Sequence, residues 1–237
     1  MATASKARLL AFETATEACS VAVWVDGAVH SRFEVAPRKH ASLALPWADE
    51  LLAEAGVARS QLDAIAVGIG PGAFTGVRLA VALAQGIALG LDVPVVAVST
   101  LAVLAQSGLP EGVRAGQAIV AAIDARMGEV YLGHFRVGDD GFVIADGAEV
   151  LVAPEVAVRH PDPAAIGIGT GFAAVDGALA QRLEPGRVYA AALPHAADLA
   201  RLAARDFALG KVIGADALEP AYLRDRVALT LVEQGKA

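Results

Sequence analysis

The sequence predicts an α/β protein made of two related domains, each with a mixed β-sheet flanked by helices. Short valine-rich runs alternate with longer helical segments, which is typical of a largely parallel sheet with helices against it. Residues 9–13 and 120–124 are both apolar runs that end in a carboxylate, and each precedes a second strand and an Asp-Gly turn, so we infer an internal repeat. Hydrophobic residues make up 56% of the chain and aromatic residues only 5%, a composition suited to helices packed tightly on sheets.

The first domain is predicted to comprise residues 1–107. Three antiparallel strands come first, because residues 8–14, 19–25 and 28–35 are apolar or valine-rich and an Asp-Gly hairpin signal separates the last two. Helices and strands then alternate: a helix at 41–55, a strand at 62–67, a helix at 77–91, a strand at 94–98 and a short helix at 100–106. Pro46 requires the first of these helices either to bend or to start later.

The second domain is predicted to comprise residues 108–237. A stretch at 107–117 that contains Gly, Pro and Glu marks the boundary between the domains. Residues 220–226 include Tyr222 and Leu223, through which this tail could pack back onto the first domain. The other segments predict strands at 118–123, 130–137 and 165–168, a further strand from Phe142, and a last helix at 196–210.

Charge, cysteine content and hydropathy restrict the class of protein. The formal net charge is −7 and no dense run of Lys and Arg exists, so contacts with RNA should come mainly from another subunit. The single cysteine, Cys19, excludes an intrachain disulfide and favours a reduced, cytoplasmic setting. Residues 79–98 are apolar, but Gln85, Asp92 and Pro94 interrupt them, so we expect no membrane span.

Two polar loops are candidates for nucleotide binding. In the first, Glu13, Thr14 and Thr16 follow the first strand, where backbone N–H groups and hydroxyls could hold a phosphate. An ordinary hairpin connection fits the same residues. In the second, Gly169 and Gly171 follow a later strand, where the backbone could pass close to a nucleotide, and a simple turn fits them at least as well.

The glycine-rich loop at 68–76 leads from a strand into the helix at 77–91. It lacks the Gly-Lys-Ser/Thr ending of a Walker loop and is not a dinucleotide fingerprint. With Thr75 as the N-cap, the helix N-terminus could hold an anion. Alternatively, the glycines could simply allow the helix and the strand to approach closely.

The helix at 77–91 predicts a partner surface. Arg78 and Gln85 are its only polar residues, so the side that faces away from the sheet needs apolar cover. That cover could come from a neighbouring part of the chain or from a partner protein. We assign seven residues of this helix and the preceding one to the partner surface: Leu43, Trp47, Leu51, Arg78, Ala82, Gln85 and Leu89.

No catalytic or metal-binding residue is assigned. The five histidines stand apart, and none is paired at the spacing of a helical metal site. Cys19 has no evident histidine partner, and the Gly-x-Ser-x-Gly motif is missing. Asp124, Arg126 and Glu129 form a charged cluster that we interpret as a structural salt-bridge group.

Several stretches together resemble the TsaB family of bacterial proteins, once grouped with glycoproteases. The resemblance implies a duplicated actin-like ATPase (ASKHA) fold of the actin, Hsp70 and sugar-kinase type. Glu13 departs from the family pattern, in which the first strand usually ends in Asp, and this argues against independent nucleotide hydrolysis. The matching stretches are ETATEACSVA at 13–22, GPGAFTGVR at 70–78, VSTL at 98–101, AIDARMGEVY at 122–131, and Pro220 with Tyr222, Leu223 and Arg224.

The resemblance also implies a function. Members of this family are non-catalytic subunits needed for the transfer of threonylcarbamoyl to the adenosine 3′ of the anticodon (position 37) in tRNAs that read codons starting with A. They pair with the catalytic subunit TsaD through helices of the N-terminal domain and form homodimers in isolation. The ATPase subunit TsaE joins the assembly, and tRNA is contacted only through the complex.

The resemblance to the catalytic relative sharpens these expectations. TsaD carries two metal-binding histidines, whose positions correspond here to Thr100 and Leu104, and neither side chain is a plausible ligand for iron or zinc. We therefore expect no intrinsic cofactor, with ATP or ADP as a candidate ligand at the interface with the catalytic partner. Two other functions stay open: an autonomous ATPase or kinase of the same fold, and a metallopeptidase-like enzyme.

Overall fold

The computed structural model describes residues 7–224 of the chain. Its first sheet is built from five strands. The strands are β1 (Arg8–Glu13), β2 (Ala18–Val25), β3 (Ala28–Val35), β4 (Ala64–Gly68) and β5 (Val95–Val98). Tight turns join β1 to β2 and β2 to β3 as antiparallel neighbours, whereas β4 and β5 add in parallel beside β1. The resulting order is β3-β2-β1-β4-β5, and the central strand β1 is almost completely buried, as its apolar run predicts.

The second sheet repeats the arrangement of the first. Its strands are β6 (Ala118–Arg126), β7 (Glu129–Val137), β8 (Val143–Ala145), β9 (Val150–Val152), β10 (Ile166–Ile168) and β11 (Arg187–Tyr189). β6 and β7 form an antiparallel hairpin, β8 and β9 pair with β7, and β10 and β11 continue in parallel from β6. The order β11-β10-β6-β7-β8 is therefore that of the first sheet, and the predicted internal repeat is confirmed.

Five helices cover the two sheets. α1 (His40–Glu54) and α2 (Phe74–Leu91) lie on the outer face of the first sheet, and the short α4 (Ala178–Leu183) lies on the outer face of the second. α3 (Thr100–Ser107) and α5 (Ala196–Ala208) are packed between the sheets and contact each other. The layers in order are α1 with α2, the first sheet, α3 with α5, the second sheet, and α4. Each sheet therefore has an apolar core on both of its faces.

The two halves exchange their inner helices. α3 follows the first sheet in the chain but packs on β6, β7 and β8, whereas α5 follows the second sheet but packs on the first. Serine side chains fix this exchange: the Ser20 hydroxyl accepts the backbone N–H of Ala196 at 2.9 Å, and the Ser107 hydroxyl accepts that of His195 at 3.0 Å. The inner core is therefore shared by both halves, and the boundary near residue 107 stays a prediction.

Two helix boundaries differ from the expectations. α1 starts at His40 with Pro46 inside it, so a start after residue 41 is wrong. α2 starts at Phe74, with Ala73 rather than Thr75 at the N-cap position and without a side-chain cap. The earlier start of α2 has a local cause, because the N–H of Ala73 donates to the carbonyl of Ala15 at 2.7 Å and thereby ties the end of the loop to the β1–β2 turn.

The segment that follows α5 lies against the first half of the chain. Ile213 bridges to Val95 at the open edge of β5, and the turn that contains Ala215 packs against α2. The N–H of Ala221 donates to the carbonyl of Ile69 at 2.8 Å. Of the tail predicted at 220–226, the last two residues lie outside the described part of the chain.

Within residues 7–224, one helix is long and apolar enough to cross a membrane by length and composition, namely α2. Its inner residues Gly76, Val77, Ala80, Ala84 and Ala88 are buried against the first sheet. In this fold α2 is thus an outer layer on β4, and its opposite side remains exposed.

Candidate partner surface and central cleft

The exposed side of α2 is mostly apolar, with Arg78 as its one charged residue. Ala82 and Leu89 point away from the sheet, and Leu89 is 66% exposed. On the neighbouring helix α1, Leu45 is 46% exposed and faces away from the same sheet. Because water-exposed apolar side chains are unfavourable when they form a continuous patch, this face has the character of a contact surface.

The structure corrects two of the seven residues assigned to the partner surface. Leu51 lies on the inner side of α1, is completely buried and belongs to the core of the first half, so it cannot contact a partner. Gln85 is half-buried, and its amide donates to the carbonyls of Ala215 and Leu218 at 3.3 and 2.9 Å. Its polar group is therefore used to hold the segment after α5. Leu43 and Trp47 are half-buried against the same core.

Two glycines of α2 have no internal reason for being glycine. A Cβ atom added at Gly86 or Gly90 would meet no heavy atom within 4 Å. Both residues lie on the exposed side of the helix, on either side of Leu89. Glycine inside a helix lowers stability relative to alanine, so its presence here indicates a role outside the isolated chain. The sequence contained this signal, and our assignment of the partner surface missed it.

A cleft of about 860 Å³ lies between the two halves. Its walls come from the β1–β2 turn, the start of α2, the β6–β7 turn and the segment 221–224. Of the five residues proposed for nucleotide binding, Thr16 contributes to the described lining, and the other four do not. The charged side chains of the described lining are Glu17, Arg38, Asp124, Arg126 and Arg224.

Glu13 is buried beneath the cleft at the end of β1. Its side chain is 1% exposed, and it accepts hydrogen bonds from the N–H of Ala15 at 2.8 Å and the hydroxyl of Thr100 at 3.2 Å. Burial raises the pKa of the Glu13 carboxyl to about 7, against the lowering effect of these hydrogen bonds. A Cβ atom at Gly68 would overlap the Glu13 carboxylate, so only glycine fits beside it.

The loop that contains Glu13, Thr14 and Thr16 is closed by the glycine-rich loop. The Thr14 hydroxyl donates to the carbonyl of Gly76 at 2.7 Å, and Thr14 is fully buried. Added Cβ atoms at Gly72 and Gly76 would overlap the carbonyls of Ala15 and Thr14. The glycines thus allow two loops to touch, rather than the helix and the strand as one of the sequence hypotheses states, and the contact occupies the Thr14 hydroxyl.

In the second half, Gly169 and Gly171 pack closely against β6. An added Cβ at Gly169, which has a φ of 107°, would overlap the carbonyl of Ala122, and one at Gly171 would lie 2.7 Å from the Cβ of Ala122. Between them, the Thr170 hydroxyl accepts the N–H of Asp124 at 3.3 Å and lines the cleft. Both glycines therefore serve the approach of this turn to the strand.

The charged residues of the β6–β7 turn, interpreted from the sequence as one salt-bridge group, are divided between two ion pairs. Asp124 accepts the N–H of Arg126 at 2.7 Å and pairs with its guanidinium at 2.9 Å. Glu129 pairs with Arg224 at 2.8 Å, and Arg224 also donates to the carbonyl of Ala125 at 3.1 Å. The segment 221–224 is thereby attached to the second half as well as to the first.

The described residues do not favour Cys19 as a nucleophile or Thr100 and Leu104 as metal ligands. Cys19 is fully buried, and burial, with a smaller effect of Glu34, raises the pKa of its thiol to about 11. Thr100 and Leu104 are buried in α3, and the Thr100 hydroxyl is bonded to Glu13. Within residues 7–224, no three His, Cys, Asp or Glu side chains are grouped so that they could hold a metal ion.

Two mixed sheets of identical strand order, with a cleft between the halves, define the duplicated actin-like ATPase class of α/β proteins. The family model for TsaD, tRNA N6-adenosine threonylcarbamoyltransferase, matches residues 28–158. The tRNA threonylcarbamoyladenosine biosynthesis protein TsaB of Escherichia coli (strain K12) is 38% identical over 227 residues, covering 93% of this chain and 96% of that protein. The chain belongs to the TsaB family.

Two further similarities agree with this family. The protein of the same name from Haemophilus influenzae (strain ATCC 51907 / DSM 11121 / KW20 / Rd) is 38% identical over 227 residues, covering 92% of this chain and 94% of that protein. The solved structure of YeaZ from Pseudomonas aeruginosa is 46% identical and superposes with a TM-score of 0.84, covering 92% of this chain and all of that one. The likeness thus extends over nearly the whole chain.

Proposed function

We propose that this chain is a non-catalytic subunit in the biosynthesis of threonylcarbamoyladenosine in tRNA. The names of the two curated relatives place them in that biosynthesis. The matching family model is that of a threonylcarbamoyltransferase, so this chain is related to an enzyme of the same process. Its role is to pair with the catalytic subunit TsaD and to make that subunit active in transferring threonylcarbamoyl to adenosine.

The exposed face of α2 carries this proposal. α2 has 18 residues, of which Arg78 is the one charged residue, and its outward side chains are mostly apolar. Gly86 and Gly90 each cost about 1 kcal/mol of helix stability relative to alanine, with open space in front of them. A partner helix that crosses α2 at these glycines would bring the two backbones close together and would cover Ala82 and Leu89.

The cleft supports a non-catalytic role. The first-strand carboxylate, Glu13, is buried and hydrogen-bonded inside the protein rather than directed at a ligand. The Thr14 hydroxyl is used in closing two loops against each other. Thr100 and Leu104, which the family resemblance aligns with the metal-binding histidines of the catalytic relative, both belong to the core.

The remaining assembly is part of the same proposal. A homodimer would use the exposed face of α2 when TsaD is missing, and TsaE would join the complex of the two subunits. The net charge of −7 favours contact with tRNA only through that complex. ATP or ADP would bind at the junction with TsaD, and the assembly would work in the cytoplasm.

A reconstituted modification reaction tests the proposal. The catalytic subunit from the same organism is mixed with TsaE, ATP, tRNA and a preformed, activated threonylcarbamoyl donor, with and without this chain, and threonylcarbamoyladenosine is measured. We expect modification to depend on this chain, and the chain alone to make no product. Full activity of the catalytic subunit alone would contradict the partner role, and product from this chain alone would contradict the non-catalytic role.

Two measurements address the competing functions. Multiple turnover of ATP by the isolated chain would favour an autonomous ATPase or kinase. Stoichiometric iron or zinc in the purified protein would favour a metallopeptidase-like enzyme. We expect neither result, because the first-strand carboxylate is buried and Thr100 and Leu104 are not metal ligands.

A further inference from the structure

Arg78 is held in one position by two aromatic rings. Its guanidinium carbon lies 3.8 Å from the centroid of the Phe74 ring and 5.7 Å from that of the Tyr222 ring. Its Nε–H donates to the Tyr222 hydroxyl at 2.6 Å. Tyr222 is itself fixed, because its neighbour Ala221 donates to the carbonyl of Ile69 at 2.8 Å. An exposed arginine normally samples many rotamers, whereas this one is clamped.

The clamped guanidinium has donors to spare. Arg78 forms no ion pair with any carboxylate of residues 7–224, and its described hydrogen bond uses Nε alone. The two terminal nitrogens form a planar fork whose geometry matches the two oxygens of a carboxylate. The side chain is exposed, so this fork is accessible from outside the protein.

Arg78 lies on the exposed apolar face of α2. Four and eleven residues along the helix, Ala82 and Leu89 face the same side. A partner that covers this face would remove Arg78 from water, and a buried guanidinium without a counter-charge is strongly unfavourable. The partner must therefore bring an acidic group to this point.

We propose that Arg78 is the charged anchor of this face and takes an Asp or Glu side chain of the partner subunit in a bidentate ion pair. The inference rests on the proposed function, because it places the acidic residue on a partner that covers α2. Apolar side chains alone allow a helix to slide along its partner, whereas a single paired charge defines one register. Arg78 thus determines where the partner docks along α2.

The segment around Tyr222 prepares this anchor. Tyr222 holds Arg78, and two residues later Arg224 is paired with Glu129 on the opposite side of the cleft. The conformational restriction of Arg78 is therefore present before the partner arrives, so less entropy is lost on binding. Tyr and Arg are also the residues that most often dominate interface energies.

Association of this chain with the catalytic partner, measured by titration calorimetry without nucleotide or tRNA, tests the inference. We expect Arg78→Ala to weaken the affinity about 30-fold or more, because it leaves the partner's carboxylate buried and unpaired. Arg201→Ala, on the exposed side of α5, is the matched control and should change the affinity less than about twofold. An Arg78→Ala affinity within twofold of the parent would overturn the proposal.

Tyr222→Phe tests separately whether the hydrogen bond from Arg78 to Tyr222 contributes to the affinity. The substitution keeps the ring and removes the hydroxyl that accepts from Arg78, so we expect an affinity about 3- to 10-fold weaker. An unchanged affinity would show that Tyr222 does not need to hold Arg78 in place for binding. A dependence on Arg78 that appears only after ATP or tRNA is added would overturn the carboxylate assignment in favour of a phosphate group.

A charge exchange completes the test. With Arg78→Glu in this chain, each Asp or Glu on the docking surface of the partner is replaced in turn by Arg, and one replacement should restore at least about a tenth of the parent affinity. Restoration by none of them would overturn the ion pair. If Leu89→Asp disrupts pairing but the Arg78 variants do not, the anchor is wrong and the proposed function stands. If neither weakens pairing, the proposed function itself fails.

Discussion

The equivalent strands β1 and β6 bring their terminal carboxylates into opposite surroundings. Glu13, at the end of β1, is 1% exposed and hydrogen-bonded within the core. The Asp124 side chain, near the end of β6, is 25% exposed and paired with Arg126, which projects into water. Both turns line the cleft, but the glycine-rich loop is bonded to the first turn, and Gly68 lies against the Glu13 carboxylate. The same strand frame thus produces a buried acid in one half and a surface ion pair in the other.

The outer coverings of the two sheets differ in the same way. α1 and α2, with 15 and 18 residues, cover the first sheet, whereas the outer face of the second carries α4, with 6 residues. Both long helices bury their inner sides, and the exposed outer side of α2 is mostly apolar, whereas that of α1 also carries Asp49, Glu50 and Glu54. The first half therefore has more outer helix surface than the second, and we propose that the partner contacts the apolar part of this surface.

The largest expected effect comes from placing a charge on the exposed side of α2. Leu89→Asp or Ala82→Glu should weaken pairing with the catalytic subunit by about 100-fold or more, since an unpaired carboxylate would be buried in the interface. Sedimentation velocity of the mixed subunits measures this. The matched control is Val158→Asp, at a 74% exposed apolar residue of the second half, which should leave pairing unchanged. Equal effects at the two sites would remove the distinction between the halves.

The buried carboxylate of the first half should give a pH-dependent stability. Burial raises the pKa of Glu13 from 4.5 to about 7, so the folded state binds the proton more tightly than the unfolded chain. The stabilisation is complete below pH 4.5 and is lost as the pH rises through 7. Between pH 5 and pH 8 we expect a loss of about 2–3 kcal/mol.

Glu13→Gln isolates this contribution. The amide can still accept from Ala15 and interact with Thr100, but it does not titrate. The free energy of unfolding from urea titrations at several pH values should therefore fall less steeply in the variant than in the parent. Parallel pH profiles of the two proteins would show that Glu13 does not have the raised pKa.

A substitution at an exposed glycine of α2 should change the stability of the isolated chain and its affinity for the partner in opposite directions. Gly86→Ala should stabilise the isolated chain by about 0.5–1 kcal/mol, because alanine favours the helix and the added methyl group meets open space. The same change should weaken pairing about 10-fold, because the partner backbone could no longer approach as closely. Urea titrations and calorimetry measure the two effects. A more stable variant that also pairs as well as the parent would contradict close helix crossing at this point.

The smallest effect is expected at the surface carboxylate of the second half. Asp124→Asn retains an oxygen that can accept the N–H of Arg126 but removes the ion pair, which is exposed to water. We expect the free energy of unfolding to change by less than about 1 kcal/mol. Urea titration of this variant beside Glu13→Gln compares the two equivalent positions, and a larger loss at Asp124 would reverse the comparison.

The frame of the protein could be predicted from local patterns. The repeat was indicated by two apolar runs that end in a carboxylate, one before β2 and one before β7, and by the Asp-Gly turn after each of those strands. These signals are readable in the sequence because strands and hairpin turns depend on neighbouring residues. The mostly apolar outer side of α2 was predicted for the same reason, and its contact with a partner stays a prediction. Residues far apart in the chain decided the rest: Leu51 is covered by the packing of α1 on the sheet, and Gln85 is held by a segment 130 and 133 residues away.

By itself, the sequence determined most of the strands, with β9 and β11 missed, and it identified α2 as a helix whose outer side is apolar. These properties follow from hydrophobic periodicity, turn residues and side-chain chemistry, which are local. Only the tertiary structure decided that α3 and α5 change places between the sheets, that Glu13 is buried beneath the cleft, and that Tyr222 holds Arg78 across 144 residues of chain. Burial and the orientation of a charge depend on what packs around them, and those neighbours are brought together by folding alone.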